Sequence, residues 1–95
     1  MKNSISTARV VQWGKTLPYT ATVAFDGGPW ARMEARQGDQ IVYGQYVKGT
    51  SGVFTVGPTP AADETVSASA TVSIGYWTRR GTFRAMASQE VAVQP

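Results

Sequence analysis

Apolar and polar residues alternate along most of the chain with a period of two, the spacing of a half-buried β-strand. No stretch sustains the i, i+3, i+4 spacing of an amphipathic helix. The opening run "SISTARVVQW" sets Ile5, Thr7, Arg9, Val11 and Trp13 on one side and Ala8 and Val10 on the other, then breaks at Gly14. "PYTATVAF" places Tyr19, Ala21, Val23 and Phe25 on one face and threonines on the other. "DGGP", Asp26 to Pro29, is a turn by residue type, because glycine accepts positive φ and Pro29 cannot extend a ladder. "WARMEAR" has high helical propensity, but seven residues between two turns leave too little length for a stable helix. It reads as a strand with Ala31, Met33 and Ala35 facing in, opposite Trp30, Arg32, Glu34 and Arg36.

"QGDQ" turns into "IVYGQYV", a fifth strand with Gly44 as the candidate bulge, and "KGTSG" turns into "VFTV". "GPTPAADE", Gly57 to Glu64, is the loop in which the chain crosses from one sheet to the other. The rest is one long hairpin, "TVSASATVSIGYW" and "TFRAMASQEVAV". A one-residue slip reverses every side chain, so its register is chosen by asking which loop aligns apolar residues. A three-residue loop, Arg79 to Gly81, sets Val72 against Ser88 and Ala70 against Glu90, a poor core. Pairing Trp77 with Thr82 sets Tyr76 against Phe83, Ile74 against Ala85, Val72 against Ala87 and Val66 against Val93. That register predicts a four-residue loop, Thr78 to Gly81, with Tyr76 and Phe83 facing in. Trp77, Arg84 and Met86 then face out, topped by Arg79 and Arg80.

Composition narrows the function classes. The 95 residues contain no cysteine and no histidine, which removes disulfides, thiolate metal sites and the usual acid-base triads. No calcium-loop or phosphate-loop spacing occurs, and the carboxylate pairs Asp26 with Glu34 and Asp63 with Glu64 read as solvated charges. No catalytic residue, cofactor or metal is expected. Net charge is +3, with the basic residues dispersed except for Arg79, Arg80 and Arg84, a weak pointer to an acidic partner. The N-terminus lacks the apolar core of a secretory signal, and no segment approaches a membrane-spanning length, so synthesis in the cytoplasm and no membrane partner are expected.

About seven short strands with turns every eight to twelve residues predict one all-β domain over residues 1–95, an antiparallel β-sandwich, with a small OB-like or SH3-like barrel as the alternative. In strand rhythm the chain resembles bacterial or phage immunoglobulin-like and fibronectin-III-like modules. It lacks the cysteine pair of antibody domains and a tyrosine corner. A small, cysteine-free chain rich in Ala, Thr, Val and Gly also looks like the accessory proteins of phage particles, such as capsid-decorating or tail components. The expectation is a non-enzymatic structural or adhesion module of a virion or cell surface, docking on another protein or on copies of itself. The docking residues expected are Trp77, Arg79, Arg80, Arg84 and Met86, residue types enriched at interaction hot spots. Two rivals remain. One is a single-stranded nucleic-acid binder that stacks bases on the "YWTRRGTFR" hairpin. The other is a carbohydrate binder needing coplanar aromatics, for which Trp77, Trp30 and Tyr43 are the candidates. Trp13 and Trp30 are both assigned to the core.

Overall fold

The computed structural model describes residues 2–95. They form eight strands: β1 (Ser4–Thr7), β2 (Val10–Gln12), β3 (Thr16–Thr22), β4 (Trp30–Gln37), β5 (Gln40–Lys48), β6 (Ser51–Thr55), β7 (Ala68–Trp77) and β8 (Phe83–Gln94). A three-stranded sheet in the order β1-β3-β6 lies against a five-stranded sheet in the order β2-β8-β7-β4-β5, an all-β sandwich and not a closed barrel. "WARMEAR" is a strand, as its length requires, and "GPTPAADE" carries the chain from one sheet to the other.

The opening run is not one strand. β1 pairs antiparallel with β3, with Ile5 opposite Ala21, whereas β2 pairs parallel with the end of β8, with Val11 opposite Val93. The change of sheet occurs at Ala8 and Arg9, and the Arg9 carbonyl accepts a bond from the Ala92 N–H at 2.8 Å. One short run thereby contributes an edge strand to both layers.

The two sheets meet with small side chains on one side and large ones on the other. The five-stranded sheet presents Ala31, Met33 and Ala35 from β4, Ala68, Ala70, Val72 and Ile74 from β7, and Val91 and Val93 from β8. The three-stranded sheet answers with Leu17, Tyr19 and Phe54, the Tyr19 and Phe54 rings 5.1 Å apart. Bulk facing alanine lets the layers interdigitate at the density of a protein interior. Trp13 and Val56 close one end of the core, where the Trp13 indole donates to the Val66 carbonyl at 3.2 Å. Trp13 is therefore the core tryptophan. Trp30 is half-buried on the opposite, outward side of β4.

The hairpin register corrects the sequence-based one. Trp77 pairs with Phe83 and Tyr76 with Arg84, and Arg79, Arg80 and Gly81 form the loop inside bonds from Thr78 N–H to Thr82 and from Gly81 N–H to Thr78. Gly81 closes it at φ 79°, the left-handed conformation that three-residue hairpin loops need at this position. This is the loop set aside above for its poor core. What rescues the core is a bulge, since Ile74 pairs with Ala87 but Gly75 with Ala85, leaving Met86 as an extra residue in β8. Beyond it the register places Val72 opposite Gln89, Ala70 opposite Val91 and Ala68 opposite Val93. Val66 lies in the preceding loop, exposed, and does not meet Val93. A second bulge occurs in β5 at Val42, and not at Gly44.

Glutamine side chains close both edges of the three-stranded sheet. Gln89 of β8 accepts from the Thr7 N–H at 3.4 Å and donates to the Thr7 carbonyl at 2.8 Å, occupying both backbone groups at the end of β1. Gln45 of β5 accepts from the Thr55 N–H at 3.0 Å at the end of β6, and the Tyr43 hydroxyl donates to the Thr55 carbonyl. Burial raises the pKa of that hydroxyl and so disfavours its ionisation, with an opposing contribution from the Gly57 backbone. Replacing Gln89 by Ala removes both Thr7 partners and is expected to cost about 1–2 kcal/mol in urea unfolding, with faster amide exchange at Thr7. Gln89→Glu should be worse near neutral pH than in acid, because a carboxylate can only accept and would face the Thr7 carbonyl. Equal stability of all three proteins would show that the latch contributes nothing.

Candidate docking surface

The outward side of the five-stranded sheet has two halves of different chemistry. Toward one end it is polar: Thr71 and Ser69 of β7 donate to the Glu90 carboxylate of β8 at 2.9 and 3.5 Å. Ser73, opposite Arg32, is fully buried and shares a 2.8 Å hydrogen bond with the hydroxyl of Ser88.

The other half is aromatic, and antiparallel pairing explains why. β4 begins, β5 ends, β7 ends and β8 begins at the same end of the sheet, so residues remote in sequence converge there. Trp30 opens β4, Tyr46 lies near the end of β5, Trp77 ends β7 and Phe83 opens β8. The Tyr46 ring reaches to 4.8 Å from Trp77 and 5.5 Å from Phe83. Trp77 stands 5.5 Å from Phe83 and 6.5 Å from Trp30, both edge to face. Gly75, directly across from Trp30, leaves the row between the two tryptophans without a side chain.

Arg32 completes the cluster. Its guanidinium carbon lies 4.8 Å from the centre of the Phe83 ring, within cation–π range. Its Nε is buried and makes no hydrogen bond, since the nearest carboxylate oxygen, of Glu34, is 3.6 Å away and contributes only charge. Lys48 pairs across from Trp30 at the rim, and Arg79 and Arg80 form the tip of the adjoining loop. Together, Arg32, Lys48, Arg79 and Arg80 are four of the nine basic side chains of the protein, and Glu34 is the acid beside Arg32.

Trp77 is 39% exposed and Tyr46 41%, whereas Trp30 and Phe83 are half-buried beneath and beside them. The exposed rings therefore have a fixed aromatic bed, which lowers the entropy lost when a partner covers them.

The five expected docking residues are not all brought together. Trp77 lies in the cluster, and Arg79 and Arg80 border it. Arg84 pairs with Tyr76 on the opposite, inward-facing side, and its backbone, not its side chain, lies beside Gly75. Met86 is the exposed extra residue of the bulge. Phe83, expected to face in, faces out beside Trp77, while Tyr76 keeps its inward side and packs on Phe25 at 5.4 Å. Tyr43 turns inward to bond Thr55, so the tyrosine among the exposed aromatics is Tyr46. The cation on the aromatic ring is Arg32 rather than Arg84. Tyr46 and Phe83 went unrecognised because their outward face depends on the bulges at Val42 and Met86, and Arg32, outward by alternation beside Trp30, because its partner ring is Phe83.

Elsewhere, Asp63 in the loop between the sheets holds the Thr65 hydroxyl at 2.6 Å and the Thr65 N–H at 3.0 Å, and these bonds lower its pKa. Among the described residues no group of three Asp, Glu, His or Cys side chains is placed to hold a metal ion. Among the described residues no helix is long and apolar enough to cross a membrane. Compared with known protein families, curated proteins and solved structures, the chain matches none.

Proposed function

We propose that this protein is a non-enzymatic docking module that binds an acidic protein surface through the aromatic end of its five-stranded sheet. The observation that carries the reading is the convergence of Trp30, Tyr46, Trp77 and Phe83 from four strands onto one outward face, with Arg32 seated among them. Trp, Tyr and Arg are the residues that dominate binding energy at protein interfaces, and a basic rim favours a partner of opposite charge. Ring geometry favours a protein over the two rivals. The rings are inclined at 45° to 81° to one another, so they form a knobbed surface and not the parallel platforms on which bases or sugar rings stack.

The strand order supports an immunoglobulin-like reading of the sandwich. β3 and β6 correspond to strands B and E, β4, β7 and β8 to C, F and G, and β5 to the additional C′ strand beside C. The opening run corresponds to a first strand divided between the sheets. In this reading the chain is an accessory component of a phage particle or a bacterial surface, the setting that its composition resembles.

Tryptophan emission tests the docking reading, because Trp30 and Trp77 lie in the patch. A tyrosine-containing oligo-glutamate peptide, oligothymidylate and a soluble oligosaccharide are titrated in parallel. The peptide alone is expected to change the emission, and Trp77→Ala with Tyr46→Ala should abolish the change while moving the melting temperature by only a few degrees, as for half-exposed residues. A response to oligothymidylate with steep salt dependence would replace this reading by the nucleic-acid one, and a response to the sugar by the carbohydrate one. Silence from all three would overturn it.

A further inference from the structure

The sandwich has four edge strands, and they are treated unequally. β1 and β6 are short, and the backbone groups at their ends are occupied by Gln89, Gln45 and Tyr43. β2 has three residues. β5 is the long one, nine residues with β4 on one side and no strand on the other. Its sequence, QIVYGQYVK, contains no proline and no charge before Lys48, so it lacks two of the devices that keep an edge from pairing. The bulge at Val42 bends only its first third and leaves Tyr43–Lys48 regular.

We infer that β5 is a self-association edge, which pairs antiparallel with β5 of a second copy and joins two five-stranded sheets into one. Charge selects this occupant. Asp39 stands just before the strand and Lys48 ends it. An antiparallel partner copy brings its Lys48 toward Asp39, and its Asp39 toward Lys48, so both ends gain an opposite-charge neighbour. Parallel pairing would set like against like. The arrangement is self-complementary about a two-fold axis and therefore closes at the dimer. With that axis perpendicular to the sheet, the aromatic faces of both copies point the same way. A lattice of acidic subunits would then meet two docking patches on one rigid body.

The inference does not rest on what the aromatic face binds, and its failure would leave the docking reading intact. Molecular mass is measured by sedimentation over a concentration series, on the wild type and on three variants. The wild type is expected to dimerise with a Kd below about 1 mM, a threshold corresponding to about −4 kcal/mol. Gly44→Lys adds a charge to the edge beside Glu34 on β4, where a new Cβ meets only the Met33 carbonyl, 3.9 Å away, so the fold is kept. It should weaken the dimer by about tenfold or more. Lys48→Asp should weaken it several-fold, and adding Asp39→Lys should restore it, a rescue that a merely structural Lys48 would not show. A wild type that stays monomeric, or a dimer indifferent to Gly44→Lys, overturns the inference.

Discussion

Gly75→Ala is expected to be the most damaging conservative substitution in the protein. A Cβ placed at residue 75 would lie 1.9 Å from the Arg84 carbonyl oxygen, 2.8 Å from its carbon and 3.0 Å from the Ala85 Cα, all of them backbone atoms. No rotamer change can relieve that contact, so the ladder itself must shift where β8 bends around Met86. Overpacking that side chains can absorb costs about 1–3 kcal/mol, and a backbone clash belongs at or above the upper end. In a domain of this size each kcal/mol lowers the melting temperature by roughly 4–8 °C, so a fall of about 12 °C or more is expected. Gly44→Ala is the control, since its Cβ meets only the Met33 carbonyl oxygen at an ordinary contact distance of 3.9 Å, and it should change stability by less than about 1 kcal/mol. If both variants melt alike, the close approach of β7 to β8 at Gly75 is not a feature of the folded protein.

The second large effect belongs to the core. Phe54, the largest of the fully buried side chains, faces the alanine-rich sheet and packs on Tyr19. Alanines on the facing strands cannot swing into a vacated space, so Phe54→Ala leaves a cavity that only backbone movement can fill. The expected loss is about 3–5 kcal/mol, from both lost transfer energy and the cavity. A chain of this length has a total stability of roughly 5–14 kcal/mol, so this variant should be mostly unfolded at modest urea concentrations. Phe54→Leu should lose far less. Were Phe54→Ala no worse than Trp77→Ala, the two sheets would not be packed through Phe54.

Much of this architecture could be read from alternation alone. The inward row Ala31, Met33, Ala35 and the rows Ala68 to Ile74 and Tyr19 to Phe25 follow from a period of two, and turn residues mark the ends of most strands. What could not be read are the points where the period breaks. The register argument for the last hairpin assumed an unbroken ladder, and under that assumption a three-residue loop and an apolar core were incompatible. The extra residue at Met86 makes them compatible, and nothing in "FRAMAS" announces it. The same holds at Val42, which decides that Tyr43 turns inward and Tyr46 joins the aromatic face. No glycine or proline marks the change of sheet at Ala8 and Arg9. The aromatic face was thus half legible: Trp77 and the two loop arginines stand out by type and alternation sets Arg32 beside Trp30 on the outward side of β4, whereas Tyr46 and Phe83 join them only once two bulges have set the phase.

The division of the opening run between the layers also bears on how the protein reaches its native state. β2 pairs with the far end of β8, Val10 with Ala92 and Gln12 with Gln94, and Gln89 grips Thr7 across 82 positions. These contacts join almost opposite ends of the chain, so the loop-closure entropy for them falls due before any local contact offsets it. The hairpins β4-β5 and β7-β8 and the pairing of β1 with β3 can form early, but β2 and the end of β1 at Thr7 lack their β8 partners until β8 has been synthesised and has found its bulged register. Folding on the millisecond-to-second scale of non-local β-proteins is the consequence.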